Sequence, residues 1–131
     1  MHKDDQRSAE VEAWRVTPEK VTAAVERIAA ALGPRRIIAF GSRARHEARW
    51  DSDLDLLVLL PSGANAAGQS ARLYEELADL VLGTDILVAD ESRFEQLRLQ
   101  RNSVYQAADQ EGINLYRDGS PDREAIAQVC R

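Results

Sequence analysis

The 131-residue sequence has one cysteine, no long apolar run and no excess of basic residues. The single cysteine, Cys130, cannot form an internal disulfide, which fits a reducing cytoplasm. The N-terminal stretch is too polar for a signal peptide, and no apolar run is long enough to cross a bilayer. A net charge of −5 argues against default nucleic-acid binding. We therefore expect a cytoplasmic protein that binds neither a membrane nor nucleic acid directly.

Several common catalytic motifs are also absent from the sequence. It contains no Walker A loop, no dinucleotide-binding fingerprint, no cysteine–histidine metal spacing and no nucleophile elbow. The acidic run that begins at Asp51 is not an EF-hand, because the sixth loop position is Leu56 and the twelfth is Ser62. The chemistry must therefore come from another constellation of residues.

Hydrophobic residues make up 44% of the chain, which is enough for one folded domain with one core. We expect residues 1–16 to form a polar N-terminal segment, residues 17–117 the domain, and residues 118–131 a C-terminal tail with a helical turn or two. The first helix is marked by Thr17 as N-cap and Pro18 at its first position.

Apolar spacing predicts an alternation of helices and strands, which is typical of the α/β class. The predicted helices cover residues 17–32, 65–82 and 92–111, with a short helix capped by Ser42, and the predicted strands cover 36–40, 54–60, 84–89 and 113–116. Ser92 and Glu95 are spaced as a capping box at the start of the last long helix.

Two aspartates stand at the head of an apolar strand, where an unpaired carboxylate is costly unless a cation meets it. Asp53 and Asp55 are two residues apart, so their side chains share one face of the strand. Asp85 begins the next strand, and the helix between the strands predicts that they are parallel neighbours. The three carboxylates should therefore meet at one edge of the sheet and bind a hard divalent cation, most simply Mg²⁺.

The end of the first strand is expected at the same edge, because its connection to the second strand is short. Gly41 has no side chain, so a phosphate can approach its backbone, and Ser42 offers a hydroxyl and amide donors. A phosphate-binding turn beside metal-binding carboxylates is the arrangement that nucleotidyl transfer from a nucleoside triphosphate requires.

The pattern of Gly41-Ser42, ten residues, and Asp53-Leu54-Asp55 resembles the nucleotidyltransferase superfamily that includes DNA polymerase β. Within it, "GSRAR" followed by "SDLDLLV", the third acid in "TDILV" and the late "EGINLY" are similar to minimal nucleotidyltransferase (MNT, MntA-like) antitoxins. The resemblance implies a polymerase β-like fold, a small mixed β-sheet flanked by helices. It also implies a partner, a HEPN-domain RNase toxin, held in a hetero-oligomeric complex and neutralised by transfer of AMP from ATP to a tyrosine.

The resemblance also implies roles for individual residues. The metal ligands would be Asp53, Asp55 and Asp85, and Asp85 would help to deprotonate the acceptor hydroxyl. The nucleotide-binding residues would be Gly41, Ser42, Arg43 and Arg45. One departure is His46, where many relatives carry glycine, so the loop is expected to bend differently.

Other interpretations of the same residues stay open at this point. Arg43 and Arg45 would also fit surface ion pairs with Glu47, and Trp50 is interpreted as a packing residue. The protein could mask its partner without chemistry, or modify a small molecule. We favour the enzyme, because clustered like charges destabilise a metal-free fold and a masking protein has no need of them.

Overall fold

The computed structural model of the protein describes residues 12–131. The helices are α1 (Pro18–Leu32), α2 (Gln69–Leu77), α3 (Glu91–Leu97), α4 (Val104–Glu111) and α5 (Arg123–Val129), with a 3-10 turn at Ala78–Leu80. The strands are β1 (Arg36–Phe40), β2 (Leu54–Leu60), β3 (Thr84–Asp90), β4 (Ile113–Arg117) and β5 (Ser120–Pro121).

Across the described residues, the strands form one sheet in the order β3-β2-β1-β4-β5. β2 and β3 are parallel, and the other neighbouring pairs are antiparallel. The predicted small mixed sheet flanked by helices is therefore confirmed, as is the parallel pairing of β2 with β3. The helical crossover forces this pairing, because the chain must return to the starting edge before it enters β3.

The sheet has a hydrophobic cluster on each face. The larger cluster joins α1, α2 and α5 to one face, and the smaller joins α3 and α4 to the other. In β2, Leu56 and Val58 belong to the larger cluster, whereas Leu57 and Leu59 belong to the smaller. Because helices cover both faces, β2 is a continuous apolar run from Leu56 to Leu60 and not an alternating one.

The start and end of α1 follow the sequence prediction. The Thr17 hydroxyl accepts a hydrogen bond from the Lys20 amide at 3.3 Å, and Pro18 occupies the first turn. Gly33 ends the helix in the left-handed conformation at φ 56°, and its amide donates to the Ala29 carbonyl.

The prediction of one long helix over residues 92–111 is wrong. The chain forms α3 and α4 with a break between them, where Asn102 has φ 60° and Ser103 caps α4. The cap of α3 is Asp90 and not Ser92, since Asp90 Oδ1 accepts from the Arg93 amide at 2.7 Å. The carboxylate also accepts from the Ser92 hydroxyl at 2.7 Å, so Ser92 supports the cap instead of forming it.

The predicted short helix after Ser42 is also absent, because residues 42–46 form turns. The Arg45 amide donates to the Gly41 carbonyl at 3.1 Å, which completes one turn, and His46 then leaves the helical region at φ 59°. After β4, residues 118–131 pack on the larger cluster through Ala125, Ile126 and Val129. Among residues 12–131, no helix has the length and apolar character needed to cross a membrane.

Candidate active site

Strand register places the three predicted acids at one edge of the sheet. Asp55 is the direct partner of Asp85 in the parallel pair β2–β3, and Asp53 lies two positions before Asp55. Alternation along the strands puts all three on the face covered by α3 and α4. Phe40 pairs with Asp55 across β1 and β2, so the Gly41 turn begins beside them. We call this end of the sheet the acidic edge.

The Asp55 carboxylate is close enough to the other two for their charges to act on it. Burial raises the pKa of the Asp55 carboxyl, and the negative charges of Asp85 and Asp53 raise that pKa further. Arg45 acts in the opposite direction and lowers the pKa of Asp55. The acidic edge therefore holds negative charge that a bound cation would stabilise.

The donor set fits a divalent metal, although the acids are spread along the edge. Within the part of the chain that the structure describes, no three His, Cys, Asp or Glu side chains form a closed metal-binding group. The raised pKa of Asp55, caused in part by the other two charges, is the observation that supports a shared cation. Oxygen ligands of this kind suit Mg²⁺, and Asp53, Asp55 and Asp85 are the residues that would hold it.

Two glycines leave room for two of these carboxylates. A Cβ added to Gly41 would overlap Asp55 Oδ2, and a Cβ added to Gly83 would overlap Asp53 Oδ1. Gly41 also has φ 76°, a conformation that glycine adopts without strain. The sequence interpretation missed Gly83, although the expected parallel pairing of β2 with β3 would have placed it beside Asp53.

Arg43 is buried, with 5% of its surface exposed, and its guanidinium group donates only to backbone carbonyls in the described contacts. The acceptors are Ser52 at 3.0 Å, Val129 at 3.2 Å and Arg49 at 3.4 Å. Burial lowers the pKa of Arg43, and nearby Cys130 and Asp53 oppose that shift. Arg43 thus ties the loop before β2 to the end of α5, and its predicted contact with nucleotide stays a prediction.

Arg45 is exposed and forms ion pairs with Glu47 and with Glu111, each at 3.0 Å. The interpretation as a surface ion pair with Glu47 therefore holds for Arg45 and not for Arg43. Because Arg45 also lowers the pKa of Asp55, its charge acts on the acidic edge. A bound phosphate would compete with these glutamates for the same guanidinium group.

His46 adopts φ 59°, the left-handed region that glycine enters most easily. A non-glycine residue in this conformation costs about 1 kcal/mol or more in backbone strain. The structure leaves His46 exposed at the surface of the turn.

Comparison with known proteins identifies the family of the chain. A family model described as the nucleotidyltransferase domain matches residues 20–108, which include Gly41, Ser42 and all three acids. The chain therefore belongs to the nucleotidyltransferase domain family.

The fold is similar to that of a Sulfolobus solfataricus protein named a "putative nucleotidyltransferase", solved as a crystal structure. The two share 17% identity with a TM-score of 0.51, over 76% of this chain and 79% of that chain. At this identity the similarity concerns the fold alone. No curated protein matches the sequence.

Proposed function

We propose that the protein is a Mg²⁺-dependent antitoxin that transfers AMP from ATP to a tyrosine of a HEPN-domain RNase toxin, an AMPylation that neutralises the toxin. The observation that supports this proposal is the placement of Asp53, Asp55 and Asp85 at one end of the sheet beside the Gly41 turn, in a chain of the nucleotidyltransferase family. The antitoxin role and the partner follow from the resemblance of the motif residues to MNT proteins.

In this mechanism the chain positions the reactants and manages charge. The Gly41 backbone and the Ser42 hydroxyl and amide bind the phosphate chain of ATP, and Asp53, Asp55 and Asp85 hold the metal. A bound Mg²⁺ would supply charge neutralisation for the phosphate oxygens. Asp85 accepts the proton of the acceptor hydroxyl, whose oxygen bonds to the α-phosphorus while pyrophosphate leaves.

A protein acceptor is favoured by the exposure of the acidic edge. Asp53 and Asp85 are both exposed, so an incoming side chain can reach them from solvent. The cavity that contains Asp53 has a volume of about 190 Å³, which is small for an enclosed site with both ATP and a drug-sized acceptor. A partner protein would complete the acceptor side of the site.

The proposal is tested by Asp53→Asn with the neighbouring toxin and ATP labelled at the α-phosphate. We expect transfer of label to fall by at least about a hundredfold, since the variant loses a metal ligand. Asp118→Asn is the matched control, because Asp118 follows β4 at the opposite end of β1 and its exposed side chain is remote from the acidic edge. Intact mass of the toxin would show an increase in multiples of one AMP.

Two outcomes would contradict the proposal. Label transfer that survives both Asp53→Asn and Asp55→Asn would remove these residues from the chemistry. A variant with all three acids replaced by asparagine that still neutralises the toxin at normal stoichiometry would favour masking by binding alone.

A further inference from the structure

Both tryptophans of the chain are exposed at the acidic edge. Trp14 and Trp50 have 56% and 53% of their surface exposed. The prediction that Trp50 is a packing residue is therefore wrong. The two rings line one cavity of about 190 Å³, which also contains Asp53 and Gly83. Large aromatic side chains kept in water around a site are a feature of binding surfaces.

The segment that carries Trp14 is fixed to the loop before β3. The Lys20 ammonium group donates to the Ala13 carbonyl at 2.6 Å and to the Val81 carbonyl at 3.0 Å. Val16, two residues after Trp14, is buried in the larger hydrophobic cluster. Trp14 is thus exposed on a segment that its neighbours hold in place.

Hydrogen bonds hold the turn that carries Trp50 in place. Ser52 Oγ accepts from the Arg49 amide at 2.8 Å, and the Ser52 amide donates to the Arg49 carbonyl at 3.1 Å. The buried guanidinium group of Arg43 donates to the carbonyls of both residues. Burying a charged group here is costly, and its contacts fix the loop that presents Trp50 and leads into Asp53.

The cavity lies where the segment before β2 meets Gly83, whereas the phosphate-binding turn begins at Gly41, after β1. Gly41 follows β1 on one side of β2 and Gly83 precedes β3 on the other side, with Asp53 and Asp55 between them. β1 and β3 are two strand spacings apart, about 10 Å, which a nucleoside triphosphate can bridge. Phosphates at Gly41 and an α-phosphate at the acids would therefore direct the nucleoside toward the tryptophans.

We infer that Trp14 and Trp50 form a stacking subsite for the nucleobase of the nucleoside triphosphate. This inference rests on the proposed function, because it takes the phosphate chain to lie at Gly41 and Ser42. Aromatic rings bind the face of a base, and every base presents such a face. The subsite should therefore favour purines over pyrimidines by ring area and discriminate little between adenine and guanine.

Tryptophan fluorescence reports on this cavity without labelling, because Trp14 and Trp50 are the two tryptophans of the full chain. We expect Mg²⁺-ATP to quench the fluorescence, and Mg²⁺-tripolyphosphate to bind without the same quenching. In calorimetry, Trp50→Ala and Trp14→Ala should each lower the affinity for ATP about tenfold. The affinity for tripolyphosphate should stay unchanged. Trp50→Phe should recover most of the affinity, and Leu99→Ala, which removes another exposed apolar side chain, should have no effect.

Three results would overturn the subsite and can be told apart. If both alanine variants keep wild-type ATP affinity while transfer still depends on Asp53, the subsite is wrong and the proposed function stands. If they keep ATP affinity but weaken binding of the toxin, the cavity belongs to the acceptor. If the wild-type protein binds no ATP, the subsite and the proposed function both fail.

Discussion

The carboxylate of Asp55 is half-buried, and the charges of Asp85 and Asp53 act on it at the acidic edge. The positive charge that opposes this effect is Arg45, whose guanidinium group also pairs with Glu47 and Glu111. The metal-free protein therefore carries an ionised group that its surroundings disfavour. Such conflicts are common at functional sites, where a ligand or ion resolves them.

This conflict predicts a pH-dependent effect of Asp55→Asn on stability. The folded state raises the pKa of Asp55, so this residue favours folding while protonated and loses that contribution as pH rises through the raised pKa. In the presence of a metal chelator, Asp55→Asn should raise the melting temperature by a few degrees at pH 7. This increase in melting temperature should become smaller toward pH 4. Thermal unfolding of both proteins across this range checks it. A gain that is equal at both pH values would contradict the electrostatic cause.

The contacts of Arg43 and Arg45 could not be predicted from their positions in the motif. The two arginines are two positions apart in one turn, yet one is buried against backbone carbonyls and the other is exposed beside glutamates. Their side chains have the same chemistry, and their surroundings come from α5, α4 and the loop before β2. No local pattern contains that information.

At the scale of elements, the register between β2 and β3 creates the site. The parallel pairing sets Asp55 against Asp85 and brings Gly83 alongside Asp53. Unlike Gly41, Gly83 has no left-handed φ, so its backbone would accept another residue. The contact with the Asp53 carboxylate is therefore the reason for glycine at this position.

Gly83→Ala should displace the Asp53 carboxylate with little cost in fold stability. We expect transfer activity to fall at least about tenfold, and the free energy of unfolding to change by less than about 1 kcal/mol. Gly33→Ala is a control with the opposite expected effect. A Cβ at Gly33 would contact no other atom, but the φ of 56° is strained for alanine. It should cost about 1 kcal/mol of stability and keep activity. Urea unfolding measures the stability of both variants, and label transfer measures their activity. Equal losses of stability and activity in the two variants would contradict the prediction.

The elements themselves were predictable to different extents. The strand limits followed from apolar runs bounded by turn residues, and α1 followed from Thr17, Pro18 and Gly33. The break between α3 and α4 was missed, because residues 98–102 do not contain a strong helix breaker. A strong cap at Asp90, a second cap at Ser103 and packing of both helices on one sheet face favour two short helices instead.

At the scale of the whole molecule, the sheet is covered on both faces. Residues 118–131 contribute the edge strand β5 to the sheet and α5 to this cover, and α5 packs with α1 on the larger cluster. Arg43 links the end of α5 to the loop that leads into the acidic edge through its contact with the Val129 carbonyl. Stability of the core and geometry of the site are thus connected through α5.

Ile126→Ala tests whether α5 belongs to the cooperative fold. Ile126 is 1% exposed in the larger cluster, so the variant should lose about 2–4 kcal/mol in the free energy of unfolding. Glu124→Ala, an exposed change in the same helix, should alter it by no more than about 0.5 kcal/mol. Chemical denaturation measures both values. Similar small effects of the two changes would mean that α5 unfolds independently of the core.

The sequence by itself determined the acids, the Gly41 turn and the parallel pairing that joins them, because strand alternation and a helical crossover are local and topological rules. Only the tertiary structure decided that Arg43 is buried, that Gly83 must lack a side chain and that both tryptophans surround one cavity. These facts depend on contacts between segments far apart in the chain. Such contacts are set by how the elements pack, which periodicity and motif spacing do not specify.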